Sequence, residues 1–338
     1  MKKSLLYISA LLLLAGCYPD YVRDYDEGAG VFTAYQYDLR TFVIGESESF
    51  DFTAALGGVI NNTTDRAVKV VVDNSLLSKD LTELTPGKEY ASFTALEGLL
   101  GSGSFGSVSQ KYVTDEVRAS GITALTELPE TYYTIKGLDG MTIKNGRFTA
   151  TASIKATDFV KEDANMFKPC YALGFQIISA TDAEIVPERS YEIIAVKCEN
   201  KLFGSWGRSC DISVQDKAGN EMYTMNDEFS VVDDKVYTLV TKDAKTLTVD
   251  KIAGAKGKMS LTLNDDNTIS VACMDGSVVI SEVPGMPSTF NGATKLEDRE
   301  IELNYKYESS GYVYVVNEKL KFRDRTRDGV LEYQGETK

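Results

Sequence analysis

The chain has 338 residues, with 50 acidic against 36 basic side chains, a net charge of −14 and no histidine. A surface this acidic repels phosphate backbones, so nucleic acid is not an expected partner. The missing histidine removes Ser-His-Asp and Cys-His nucleophile systems and most catalytic zinc sites, and the expectation is a protein that is not an enzyme; two-carboxylate glycosidases are the chief class that works without it.

In chain order, Lys2 and Lys3 precede an almost wholly apolar run from Leu5 to Leu14. About ten residues cannot span a bilayer as a helix, which takes about 20, but this is the length of a secretory signal's hydrophobic region. Leu14-Ala15-Gly16-Cys17 reads as a lipobox: a peptidase cuts before Cys17, whose thiol carries diacylglycerol. Residues 1–16 are then a signal peptide, 322 of the 338 residues remain, and loss of Lys2 and Lys3 takes the charge from −14 to −16. That length holds about two domains with real cores. The lipid is the only anchor implied, and more than one acyl chain attaches stably. Residues 17–30 form a lipidated tether, polar and containing Gly28 and Gly30. Its Asp20, Asp24, Asp26 and Glu27 lie where some outer-membrane lipoproteins carry an acidic surface-export signal.

From residue 31 the pattern is period-two alternation in short runs, the mark of strands buried on one face. Examples are Arg66–Asp73, Arg147–Lys155 and Tyr191–Cys198, separated by turns such as Asp139-Gly140 and Asn145-Gly146. An antiparallel sandwich over residues 31–199 is expected. The pattern breaks over 88–127, read as an insertion in which Tyr90–Leu100 and Val108–Leu125 flank a Gly/Ser-rich loop. After Asn200 come predicted strands at Asp211–Gln215, Val236–Thr241, Thr246–Asp250, Met259–Leu263, Thr268–Cys273, Ser277–Ser281, Glu300–Tyr307, Tyr312–Val316 and Glu318–Arg323. A meander of this number closes most simply as a barrel, here over 200–338. Gly204-Ser-Trp206 at its entrance matches the Gly-x-Trp that opens lipocalin-like barrels.

Several motifs are weighed and set aside. Gly101–Val108 fits G-x-G-x-x-G-x-V, yet no V-A-I-K, R-D-x-x-x-x-N or D-F-G follows, so it reads as a loop rather than a kinase phosphate cradle. Asp233-Asp234 and Asp265-Asp266 lack EF-hand spacing and read as hairpin turns rather than calcium sites. Arg323, Arg325 and Arg327 alternate, which suits either a carboxylated ligand or, as the expected role, the protein's own excess of acids. Cys170, Cys198, Cys210 and Cys273 are spaced by 28, 12 and 63 residues, without a C-x-x-C pair. Both buried thiols and disulfides remain open. No metal or cofactor is expected. Among the 19 tyrosines, five fall between Tyr18 and Tyr37; the ring's apolar face and polar rim suit sugars, but tyrosine is also an ordinary strand residue.

One ordered set of motifs carries a resemblance. It runs Asp65-Arg66-x-Val-x-Val-x-Val-Asp73 into Asn74-Ser-Leu-Leu77, Tyr132-Tyr-Thr, Ile143-x-x-Gly146, Tyr171-Ala-Leu-Gly-Phe175, Ile194-Ala-Val-Lys197, Glu199-Asn200 and Leu202-Phe-Gly204. This resembles an N-terminal domain of unknown function in Bacteroidetes surface lipoproteins, found beside starch-utilisation-type outer-membrane transporters. Tyr305-Lys-Tyr307, Tyr312-x-Tyr314 and Phe322–Gly329 resemble its companion C-terminal domain. The resemblance implies an all-β chain: an immunoglobulin-like sandwich followed by a calycin-like (lipocalin-like) barrel, on the cell surface. It departs at Gly174, where the family usually has proline, and at Ser205-Trp206, where it has an aromatic pair. The family's sandwich also precedes some family-18 endoglycosidases, but D-x-x-D-x-D-x-E is missing here, so hydrolysis does not carry over.

The expected role is therefore a non-catalytic surface lipoprotein that binds glycan for an outer-membrane nutrient transporter. The implied partners are the outer membrane through the lipid, a TonB-dependent transporter, its surface lipoprotein, and an oligosaccharide or peptide. Peptide binding and a structural or adhesive role are the alternatives. A ligand is expected on exposed aromatics at loop ends, with Tyr35, Tyr37, Tyr132 and Tyr133 in the sandwich and Trp206 at the domain junction as candidates.

Overall fold

The computed structural model describes residues 28–78, 116, 119–122, 125–231 and 235–333. Cys17, the Gly101–Val108 loop, most of the 88–127 stretch and Asp233-Asp234 lie outside the described residues.

The fold is all-β. The first strands are β1 (Gly30–Thr33), β2 (Tyr37–Ile44), β3 (Ser49–Gly57), β4 (Arg66–Val72), β5 (Thr126–Glu127), β6 (Tyr133–Lys136), β7 (Thr142–Ile143), β8 (Thr149–Ala156), β9 (Tyr171–Ala180), β10 (Glu184–Ile185) and β11 (Tyr191–Asn200). They build two sheets, ordered β10-β1-β3-β8-β6 and β2-β11-β9-β4-β7, with β5 beside β9. The alternation does what it predicts. Phe50, Phe52, Ala54 and Leu56 of β3 point inward, as do Ala152 and Ile154 of the antiparallel β8. From the other sheet, Phe175 of β9 stacks on Phe52 with ring centroids 4.7 Å apart. Each such buried ring contributes about 1.5–3 kcal/mol, which makes the sandwich.

The remaining strands are β12 (Gly204–Gln215), β13 (Glu221–Ser230), β14 (Tyr237–Thr241), β15 (Thr246–Val249), β16 (Met259–Leu263), β17 (Ile269–Cys273), β18 (Ile280–Glu282), β19 (Thr289–Phe290), β20 (Glu300–Ser309), β21 (Tyr312–Arg327) and β22 (Val330–Tyr333). One sheet runs β17-β16-β15-β14-β12-β21-β20-β18 and curls until β17 and β18 lie side by side. This is a nearly closed barrel. Trp206, Leu261, Leu303 and Phe322 are among the side chains filling it.

The chain divides into two compact units. One holds the described residues up to Asp38 with Ser49–Thr157 and Ala172–Ala195; the other holds Leu39–Glu48, Asp158–Tyr171 and Val196–Lys338. A single cut between 199 and 200 therefore does not describe the division. Leu39–Glu48 belongs with the barrel because Glu46 pairs with Arg299 at 2.8 Å and with Arg325 at 2.5 Å. Arg327 joins this cluster through Glu332 at 2.6 Å, while Arg323 pairs with Asp324 at 3.0 Å. The alternating arginines thus meet the protein's own acids.

Three barrel expectations need correction. Tyr312–Val316 and Glu318–Arg323 form one 16-residue strand, β21, because Asn317 continues the ladder opposite Asp211 and Asn304. The strand expected at Ser277–Ser281 begins at Ile280, since the Asp275 carboxylate takes the Ser277 N–H into a turn. The ten-residue β13 is missing from the sequence reading altogether; nearly all of it is exposed, so no apolar alternation marks it.

Candidate functional site

Of the five candidate aromatics, Tyr37 and Trp206 are core residues. Tyr37 is 2% exposed, with its hydroxyl 3.2 Å from that of Tyr191. Trp206 is fully buried; its indole N–H donates to the Leu202 carbonyl at 3.0 Å and its ring meets Phe322 edge-on. Neither is an exposed platform, because Tyr37 lies on a strand buried on both faces and Trp206 in the barrel core. Tyr35, Tyr132 and Tyr133 are half-buried. Tyr132 closes a 3-10 turn and Tyr133 opens β6; burial, then Glu130 and Glu127, push the Tyr133 hydroxyl pKa up.

Two exposed rings, Tyr223 and Tyr312, lie elsewhere, at one rim of the barrel. Register places Tyr223 of β13 opposite Val214 of β12, Val214 opposite Tyr314 of β21, and Tyr314 opposite Tyr307 of β20. All four therefore share one face. Tyr307 is buried, and Tyr314 lies on it with centroids 4.9 Å apart and planes 2° from parallel. Burial, then a hydrogen bond with Tyr223, raises the Tyr314 hydroxyl pKa. Tyr223 and Tyr312 are 49% and 39% exposed. The signal in the sequence was Tyr-x-Tyr twice over, at 305–307 and 312–314; alternation puts each pair on one face.

The next rows of the same face are Met225–Ile212–Val316–Tyr305 and Asp227–Cys210–Glu318–Leu303. Beyond Asp227 opens a cleft of about 490 Å³ lined by Arg208, Asp227, Lys235, Tyr237, and the Asp250–Gly257 loop between β15 and β16. That loop buries Ile252 and Ala253 in the barrel as a plug. Below it lies a buried polar network. Glu318 is fully buried, accepting from Arg208 Nε at 2.9 Å and from the Tyr305 hydroxyl at 2.6 Å. Arg208 Nη1 reaches Asp227 at 3.2 Å, and its guanidinium carbon lies 5.0 Å from the Tyr237 ring centre. Charge pairing with bonds to every partner is what permits such burial.

On the outer face of the barrel, cavities of about 310 and 290 Å³ share Val283, Met286 and Asn304. The Asn317 amide there is spent on Glu302 and Asn304. The rim and its cleft, by contrast, carry exposed rings and charges. Among the described residues no group of three or more cysteines and carboxylates is placed to hold a metal.

Residues 1–17 match the prokaryotic membrane lipoprotein lipid attachment site, so the chain is a lipoprotein. No curated protein matches it. A Bacteroides ovatus crystal structure of unknown function shares the fold, at 19% identity over 92% of this chain and 100% of that one, with a TM-score of 0.61. Weaker likenesses reach a Bacteroides ovatus multidomain protein including DUF1735 (12% identity, 90% of this chain and 99% of that one, TM-score 0.40). A Bacteroides thetaiotaomicron auxiliary nutrient binding protein is similar at 12% identity over 85% of this chain and 90% of that one, with a TM-score of 0.37.

Proposed function

We propose that this lipoprotein is a non-catalytic cell-surface protein that binds glycan at the barrel rim and serves an outer-membrane nutrient transporter of the TonB-dependent kind, beside that transporter's own surface lipoprotein. One observation carries the reading: Tyr223 and Tyr312 are exposed beside Tyr314, which a buried ring backs. Rings held this way offer apolar faces to sugar C–H groups and hydroxyls to sugar oxygens at little entropic cost. Each adds on the order of 1 kcal/mol, so several must act together, which suits capture and release of long polymers. The lack of histidine supports the non-catalytic part of the reading.

A glycan and peptide array with the purified protein tests it. Glycan hits weakened by Tyr223→Ala and Tyr312→Ala at unchanged melting temperature support the reading; hits indifferent to both sink the rim as the site. Release of reducing ends in proportion to protein concentration would overturn the non-catalytic assignment. Metabolic labelling with alkyne palmitate should mark the wild type and not Cys17→Ala, and protease shaving of intact cells tests exposure at the outer surface.

The second reading is peptide. Among the described residues β13 pairs only with β12, and it exposes Met222, Tyr223, Met225 and Phe229. An extended peptide can add a strand to such an edge. Peptide hits without glycan hits favour this reading.

A further inference from the structure

The chain carries a net −14, yet the cleft beside Asp227 is lined by four cations, Arg208, Lys235, Lys251 and Lys256, against two carboxylates, Asp227 and Asp250. The centre of this reversal is Arg208, 8% exposed. Its Nε is fixed by Glu318 and its Nη1 by Asp227, whereas Nη2 makes no hydrogen bond among the described residues and is not sealed from solvent, and the residue lines the cleft. A guanidinium oriented by two carboxylates with one edge to spare is a pre-organised donor for a third oxyanion.

The lysines are placed to help. Lys235 Nζ stands 3.6 Å from Asp227, too long for a tight bond, and Lys256 is exposed on the plug loop. The carboxylates decide what kind of anion fits. A compact inorganic anion meets repulsion from Asp227 and Asp250, but a molecule that also carries hydroxyls can donate to them. The tyrosine rim lies along the same strand face: Tyr223 and Asp227 are four residues apart on β13, roughly 13 Å at ~3.3 Å per residue.

We propose that this cleft is a subsite for an acidic sugar, its carboxylate against Arg208 Nη2, Lys235 and Lys256, and its hydroxyls on Asp227 and Asp250. Neighbouring sugar units then reach the rings at Tyr223 and Tyr312. This rests on the glycan-binding reading and narrows it to uronic-acid polymers.

The test uses the full-length lipoprotein in detergent, with uronate trimers of gluco and galacto configuration and the same trimers carboxyl-reduced to neutral sugars. Calorimetry should find at least one acid trimer bound about ten-fold or more tighter than its reduced form, a preference that fades with salt. The Lys235→Ala/Lys256→Ala protein should lose about ten-fold for the acid trimer, while its affinity for the neutral one and its melting temperature stay put. Both lysines are surface residues, so the variant avoids the buried Arg208–Glu318 pair. Equal binding of acid and neutral trimers, an undiminished preference in the double variant, or no binding of either overturns the acidic-sugar assignment. So does sulfate or phosphate competing as well as the uronate itself, which marks a plain anion site. Array hits on neutral glycans that depend on Tyr223 would leave the glycan reading standing in each of these cases; loss of those hits as well sinks both.

Discussion

The Tyr307 hydroxyl donates to the carbonyl of Ala253 at 2.8 Å. Two residues earlier on the same strand face, the Tyr305 oxygen accepts the N–H of that same Ala253 at 3.1 Å. A Tyr-x-Tyr pair therefore holds one loop residue by both of its main-chain groups, and this keeps the Asp250–Gly257 plug in the barrel beneath the proposed sugar surface. Ala253 is 4% exposed, so an orphaned carbonyl there finds little water.

Tyr307→Phe keeps the ring under Tyr314 and removes only the donor. An unpaired buried carbonyl costs about 1–3 kcal/mol. Urea unfolding should show a loss in that range, and hydrogen exchange should quicken across residues 250–257. Unchanged stability and exchange would mean that the loop is held by its side chains alone.

Glu46 gives a pH prediction. Burial pushes its carboxyl up, but hydrogen bonds from Arg325 and Arg299, with their charges, outweigh this, and its pKa falls below the ordinary 4.5. A depressed folded pKa stabilises above the unfolded value, and that stability drains away as pH drops through the folded one. Glu46→Gln leaves Arg299 and Arg325, both almost fully buried, short of a carboxylate. At pH 7 the cost should be about 3 kcal/mol. The gap between variant and wild type should narrow steadily as pH is taken below about 4.5. A gap independent of pH in thermal melts would show that the charge on Glu46 is not the source.

The four described cysteines are free thiols, and their surroundings rank them. Burial pushes Cys198 well up, pushes Cys210 up to about 12, and raises the half-buried Cys170 as well. At Cys273 burial is outweighed by the Val278 N–H and the Ser277 hydroxyl, and the pKa is lowered. Since the thiolate is the reacting form, alkylation of folded protein at pH 8 should modify Cys273 first and Cys170 next. Cys198 and Cys210 should wait for denaturant. Mass mapping that finds Cys198 modified as early as Cys273 contradicts the ranking.

What the sequence disclosed follows the physics of alternation. Half-buried strands such as Arg66–Val72 were legible because one face is apolar and the other is not. β13 was illegible for the converse reason: exposed on both faces, it carries no period. The proposed binding surface fell in that blind spot, since Tyr223 and Asp227 sit on β13 while Tyr314 and Glu318, which share their rows across β12, lie about ninety residues away. Exposure was not legible either. Tyrosines near the N-terminus and the single tryptophan were open to both a platform and a packing role, and Tyr37 and Trp206 take the packing one, buried in their strands. Only register, which composition does not encode, tells a plug from a platform.

The departure at Gly174 has a structural cause that can be tested. Gly174 lies within β9, and its N–H donates to the Asn74 side-chain oxygen at 3.1 Å while its carbonyl accepts from the Asp73 N–H at 2.9 Å. The Asp73–Asn74 turn is thereby drawn so close that a Cβ on residue 174 would stand 2.3 Å from the Asp73 carbonyl oxygen and 3.2 Å from Leu76 Cδ1. The first obstacle is main chain and cannot rotate away. Gly174→Ala must therefore break the pairing or push the turn outward, at a cost of about 1–3 kcal/mol for forced overpacking. Equilibrium unfolding should register that loss, and amide exchange should rise at Asp73, whose partner is displaced. Asn74→Ala removes the side-chain clamp without adding bulk, so it should cost less, about 1 kcal/mol. If Gly174→Ala is as stable as the wild type, the turn yields freely and close approach is not the reason for glycine at this position.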